Sequence, residues 1–109
     1  MDSLDDCQGV LGAVEAGPEE AGVPVVRLVG EIDISNAGAL GDQLDALVGA
    51  VAGPLIVDLS GLQFMDSSGI AILLRVAGNV DSVAIRNPTL VVRRIIECTG
   101  LASVLRIDS

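Results

Sequence analysis

The stretch Phe64-Met65-Asp66-Ser67-Ser68-Gly69-Ile70 constrains this chain more than any other. An apolar run, Leu55-Ile56-Val57-Asp58-Leu59, comes before it and reads as a buried strand. Ile70, Leu73, Leu74 and Ala77 come after it at i, i+3, i+4 and i+7, the spacing of one helix face. A hydroxyl therefore stands where a strand hands over to a helix. The first amides of a helix lack partners within it and carry the positive end of its dipole, so they attract anions. The spacing predicts that a phosphate on Ser67 rests on those amides, bringing about −1.5 to −2 charge at pH 7. That is the pattern of a serine switch. A plainer reading stays open beside it: Asp66 and Ser67 cap a helix, a role worth about 1 kcal/mol. In that reading Ser68 is a second backbone-bonded hydroxyl, and Gly69 only lets the helix approach its neighbour.

With 109 residues, half of them hydrophobic, the chain has material for one domain and one core. Phe64 is the sole aromatic residue and is expected in a core otherwise made of Val, Leu, Ile and Ala. No run nears the roughly 18 apolar residues of a spanning helix. The start, Met1-Asp2-Ser3-Leu4-Asp5-Asp6, lacks the basic stretch of a signal peptide, so a soluble cytoplasmic protein is expected. Six arginines, no lysine and fifteen acidic residues give a net charge of −9. That charge opposes binding to nucleic acid and to anionic membranes, and it suits a partner with a basic patch.

The residue inventory disfavours enzymes. No histidine is present for a Ser-His-Asp or Cys-His arrangement, and no lysine for a phosphate loop or a Schiff base. Metal ligation would rest on carboxylates alone, without EF-hand spacing, so no metal and no cofactor is expected. Gly9-Val10-Leu11-Gly12 is too slight for a dinucleotide fingerprint. Asp58 at a strand end suits an aspartyl-phosphate receiver, but receivers also use a lysine. Two cysteines make no disulfide framework. Cys7 sits beside Asp5 and Asp6, which disfavour a thiolate. Cys98 shares a helical face with Val91 and Ile95 and is expected to be buried. A redox pairing of Cys7 with Cys98 is the one thiol function they allow.

Read along its length, the chain begins with an acidic segment, residues 1–8, followed by one domain, 9–109. A first strand is expected over residues 10–14. Gly17-Pro18-Glu19-Glu20-Ala21-Gly22 is expected to turn into a second strand over 25–29. Gly30-Glu31-Ile32-Asp33 ends that strand, and Ser35 is the expected N-cap of a helix with Leu40, Leu44, Leu47, Val48 and Val51 on one face. Gly53-Pro54 stops it. After the strand at 55–59 come the Ser67 helix to Ala77, a strand over 82–86, a helix opened by Pro88, and a last strand over 104–107. The pattern predicts an α/β fold with a mixed, mostly parallel sheet of about five strands and packed helices. Ligands of such sheets gather at the carboxyl ends of the strands. Asp33 and Ser67 both follow strand ends and are expected to be neighbours.

Taken together, Gly30-Glu31-Ile32-Asp33, Val57-Asp58-Leu59-Ser60-Gly61-Leu62 and Phe64-Met65-Asp66-Ser67-Ser68-Gly69-Ile70 resemble the STAS domain, in particular the bacterial anti-sigma-factor antagonists. Asn87-Pro88 and Thr99-Gly100-Leu101 fit the same pattern. Departures are Gly78-Asn79-Val80-Asp81, where paired glycines are usual, and the absence of the further C-terminal helix of many relatives. The resemblance implies that Ser67 accepts phosphate from an anti-sigma factor that is also a serine kinase, and that a phosphatase resets it. It implies that Asp33 and Asp66 flank the site, and that Ser68, Gly69 and Ile70 shape it. An unphosphorylated antagonist would hold the anti-sigma factor and free the sigma factor. The alternative it leaves is a never-phosphorylated STAS subunit of a membrane-transporter or lipid-transport complex.

Overall fold

The computed structural model describes residues 12–49, 53–100 and 105–108, with side chains described through Leu105. The elements, in chain order, are β1 (Ala13–Glu20), β2 (Val23–Ile32), α1 (Ala37–Val48), β3 (Pro54–Asp58), β4 (Leu62–Met65), α2 (Ser67–Ala77), β5 (Ser82–Arg86), α3 (Leu90–Cys98) and β6 (Arg106–Asp108). The main sheet order is β1-β2-β3-β5-β6, with β4 paired to β2 alone. Among the described strands only β1 runs antiparallel to its neighbour. The expected mixed, mostly parallel sheet of about five strands is thus present, with one short strand added.

The opening hairpin is longer and tighter than its sequence suggests. Gly17 and Pro18 lie inside β1, and the turn is Ala21-Gly22 alone. Both turn residues have positive φ, 51° and 83°, the requirement of a type I′ connection. Pro18 is tolerated because β1 is an edge strand, and its register shifts between Gly17 and Glu20. The acidic segment 1–8, Val10, Val51 and Val104 lie outside the described residues.

β2 is the organising strand. Its first half pairs with β3 through Val25, Val26 and Arg27, and its last three residues pair with β4. Gly30 stands at the change of partner with φ 84°, a conformation that favours glycine, and its N–H donates to the Gly61 carbonyl at 2.9 Å. β4 has no counterpart among the expected elements. It is four residues long, and its register slips between Gly30 and Glu31, placing Gln63 in a bulge. The bulge breaks the alternation of the strand. Leu62 and Met65 are buried, whereas Gln63 and Phe64 both face solvent. Phe64, expected in the core, is 43% exposed for this reason.

One sheet face carries Val26, Leu28, Leu55, Val57, Val83 and Ile85. The three helices of the described residues bury side chains against it: Leu40, Leu44 and Val48 from α1, Ile70, Leu73 and Val76 from α2, and Val92 and Ile96 from α3. Each fully buried Leu or Ile contributes about 1.5–3 kcal/mol. Leu47 and Val91, expected on inward helix faces, are instead exposed. Asn36, not Ser35, precedes α1, and it makes no side-chain capping bond. The N-cap of α3 is Thr89, whose oxygen accepts from Val92 N–H at 3.3 Å, so Pro88 stands before the helix and not in its first turn.

The other sheet face holds a small apolar cluster, Val25, Ile56 and Ala84, aligned across β2, β3 and β5. The Arg86 guanidinium on β5 pairs with Glu20 on β1. A pair joining those strands passes over β3 and β2, so the arginine stem lies across this cluster.

Candidate functional site

The site forms where β2 and β4 end side by side. Ile32 is in register with Met65, and the ladder continues as Asp66 N–H donates to the Ile32 carbonyl at 3.1 Å. Asp33 and Asp66 are the next residues of the two strands. The expected proximity of Asp33 and Ser67 is therefore present, through β4 and not through the strand at 54–58.

Asp66 is the N-cap of α2, with extended backbone (φ −101°, ψ −165°). Its Oδ1 accepts the Ser68 N–H at 2.8 Å. Its carbonyl accepts Gly69 N–H at 3.0 Å and Ile70 N–H at 3.3 Å. The helix N-terminus is thus an anion cradle only in part: of the amides that the sequence pattern assigned to a phosphate, those of Ser68, Gly69 and Ile70 are already committed to Asp66. Ser67 is the first helical residue and is exposed, whereas Ser68 is half-buried. A group attached to the Ser67 hydroxyl is carried by an exposed residue next in sequence to Asp66.

Asp33 is fixed by its own turn. Its Oδ1 accepts the Ser35 N–H at 2.9 Å and also the Ser35 hydroxyl. Its N–H donates to Asn36 Oδ1 at 2.9 Å, and Asn36 Nδ2 donates to the Glu31 carbonyl at 2.9 Å. The Ser35 hydroxyl and then the Ser35 amide hold the Asp33 carboxyl below its ordinary value, because both donate to the ionised form. Ser35, expected as a cap, instead orients Asp33.

Gly69 and Ile70 set the depth of α2. A Cβ on Gly69 would stand 2.7 Å from Met65 Cβ, so only glycine lets the first turn sit this close to β4. Ile70 is buried beneath. The structure therefore brings together Asp33, Asp66, Ser67, Ser68 and Gly69, with Ile70 as their support.

It does not extend this site to the cysteines. Cys98 is exposed at the end of α3, contrary to the expected burial, because Val92 and Ile96 form the inward face. Cys7 lies outside the described residues. Among the described residues no three Cys, Asp or Glu side chains gather to hold a metal, and no helix is long and apolar enough to cross a membrane. Sequence reasoning missed Ile34, which follows Asp33 and is 85% exposed. Its only signal is an isoleucine inside a turn of polar residues.

A parallel sheet edge with a serine at the mouth of a capped helix and two hydrogen-bonded carboxylates marks a small domain of the α/β class. A family model described as Mlab, STAS domain, matches residues 16–106. The chain belongs to the STAS domain family. The crystal structure of an anti-sigma factor antagonist from Mycobacterium paratuberculosis is similar at a TM-score of 0.76 and 28% identity, covering 87% of this chain and 85% of that one. Unphosphorylated SpoIIAA, an anti-sigma factor antagonist, superposes at a TM-score of 0.65 with 23% identity, covering 89% of each chain. The phosphorylated form of SpoIIAA, a Bacillus cell fate determinant, superposes at 0.57, also with 23% identity, covering 89% of this chain and 92% of that one. These last two likenesses carry the fold. No curated protein sequence matches the chain.

Proposed function

We propose that this chain is an anti-sigma-factor antagonist that acts in the cytoplasm by binding, not by catalysis of its own. Unphosphorylated, it holds an anti-sigma factor and so releases a sigma factor. Phosphate on Ser67 ends that hold. The observation that carries this reading is the exposed Ser67 hydroxyl at the start of α2, set beside two immobilised carboxylates. The 28%-identical antagonist from Mycobacterium paratuberculosis supports the class of partner.

The switch follows from charge. A kinase transfers the γ-phosphoryl of ATP to Ser67 Oγ and takes up the hydroxyl proton, releasing ADP. Hydrolysis by a phosphatase restores the hydroxyl. Because three amides of the first turn, those of Ser68, Gly69 and Ile70, are committed to Asp66, the phosphate gains less from the helix than a free N-terminus would give, and it faces the partner. Crowding it against Asp66 and Asp33 in a closing interface costs several kcal/mol. Each ~1.4 kcal/mol is a tenfold loss of affinity.

The test is recovery of partners from the source cells by wild type, Ser67→Ala and Ser67→Glu with ATP present. A soluble anti-sigma kinase should accompany the first two and be lost with the third. Equal recovery by all three would overturn the switch, leave Ser67 as a helix position only, and favour a fixed STAS subunit of a transport complex.

A further inference from the structure

Three large apolar side chains stand in solvent on β4, the strand that leads to Ser67, and on the two elements tied to it. We propose that Ile34, Phe64 and Leu90 are the apolar anchors that grip the anti-sigma factor. This inference rests on the function proposed above and names the contact by which that partner is held.

Ile34 follows Asp33 at the end of β2 and is 85% exposed. Phe64, the one aromatic side chain of the protein, is turned out of β4 by the bulge at Gln63, three residues before Ser67. Leu90 opens α3 and is 66% exposed. The preceding Thr89 donates its hydroxyl to the Leu62 carbonyl at 3.3 Å, which ties this helix start to β4. The end of β2, then β4, then the start of α3 thus present one apolar residue each across the carboxyl edge of the sheet.

Carboxylates stand beside two of these side chains. Glu31 lies opposite Phe64 in the ladder, Asp33 precedes Ile34, and Asp66 follows Met65. An occupant must therefore offer apolar pockets rimmed by basic groups. A protein surface can do so. An anionic lipid surface meets these carboxylates and a net charge of −9. Large residues in desolvated pockets carry most of the energy of a protein contact, which fits a surface aromatic in a chain that has no other. The anchors also explain why the position of Ser67 matters: a phosphate there adds charge beside apolar contacts that must dry to form.

Leu74 supplies the control. It is exposed to the same degree as Phe64 but lies seven residues along α2 from Ser67, about 10 Å away. Affinity of the soluble kinase recovered with wild type is measured by calorimetry for wild type, Ile34→Ala, Phe64→Ala, Leu90→Ala and Leu74→Ala. At least a tenfold loss is expected for Ile34→Ala and Phe64→Ala, with Leu90→Ala weaker and Leu74→Ala within twofold of wild type. Phe64→Ala is read only with a matched melting curve. Ile34→Ala, which removes almost no packed surface, keeps the test decisive. Ile34→Ala and Phe64→Ala within twofold of wild type overturn the anchors. So does cosedimentation with phosphatidylglycerol vesicles that Ile34→Ala abolishes while kinase affinity stays unchanged. If wild type and Ser67→Glu bind the kinase equally, the switch fails instead, and the same titrations still decide the anchors.

Discussion

At Asp66 and Gly69 the sequence pattern and the structure assign different physics to the same residues. A serine beside a helix start suggests a free anion site, but the adjacent aspartate takes three of its amides. Asp66→Ala should therefore lower stability by about 1 kcal/mol, as loss of a cap does. Urea unfolding checks it, and an unchanged midpoint would remove Asp66 from the capping role. Gly69→Ala should cost about 1–3 kcal/mol, because the new methyl meets Met65 Cβ, which belongs to the buried core. Asp33 adds a pH term. Its folded carboxyl titrates below the ordinary 3.8, so its contribution is whole above that value and is lost as pH falls through the lower folded value. In Asp33→Asn the acid limb of a melting-temperature profile should be shallower than in wild type. Such contacts were invisible in the sequence because Asp, Ser and Asn at a turn allow several local bonding patterns.

Among the elements, legibility followed periodicity. The helix from Ser67 to Ala77 and the strand from Ser82 to Arg86 were read at their true bounds, since both carry clean apolar spacing and turn residues at their ends. β4 was not legible: four residues with a bulge cannot show alternation, and its Phe64 reads as core until the register is known. β1 was hidden by Gly17-Pro18, which mark turns except on an edge strand. The second sheet face was also missed, because its cover is an ion pair between residues far apart in sequence. Arg86→Ala should destabilise by about 1 kcal/mol, more through the lost stem over Val25 and Ile56 than through the partly exposed charge pair. Arg86→Met, which keeps the stem and drops the charge, should recover most of that loss in thermal unfolding. If Arg86→Met is as unstable as Arg86→Ala, the pair with Glu20 is the main contribution.

In the whole molecule, charge and apolar anchors divide the labour of binding. Fifteen acidic residues against six arginines set a negative field that draws a basic partner from a distance. Steering of this kind raises the association rate and is screened by salt, since the Debye length shrinks from about 10 Å at 0.1 M to about 3 Å at 1 M. The anchors Ile34 and Phe64 act only at contact, after water has left. Mutants of one interface differ mainly in dissociation rate. Raising salt from 0.05 to 0.5 M should therefore slow association by roughly tenfold while changing dissociation little, within the usual range for steered encounters. Ile34→Ala should do the reverse, speeding dissociation at unchanged association. Ser67→Glu should act mainly on dissociation, because its charge adds to the far field but sits where the interface must dry. Surface plasmon resonance at several salt concentrations separates the three effects. A salt-independent association rate would mean that the acidic excess serves solubility alone and that the carboxyl edge is recognised by shape.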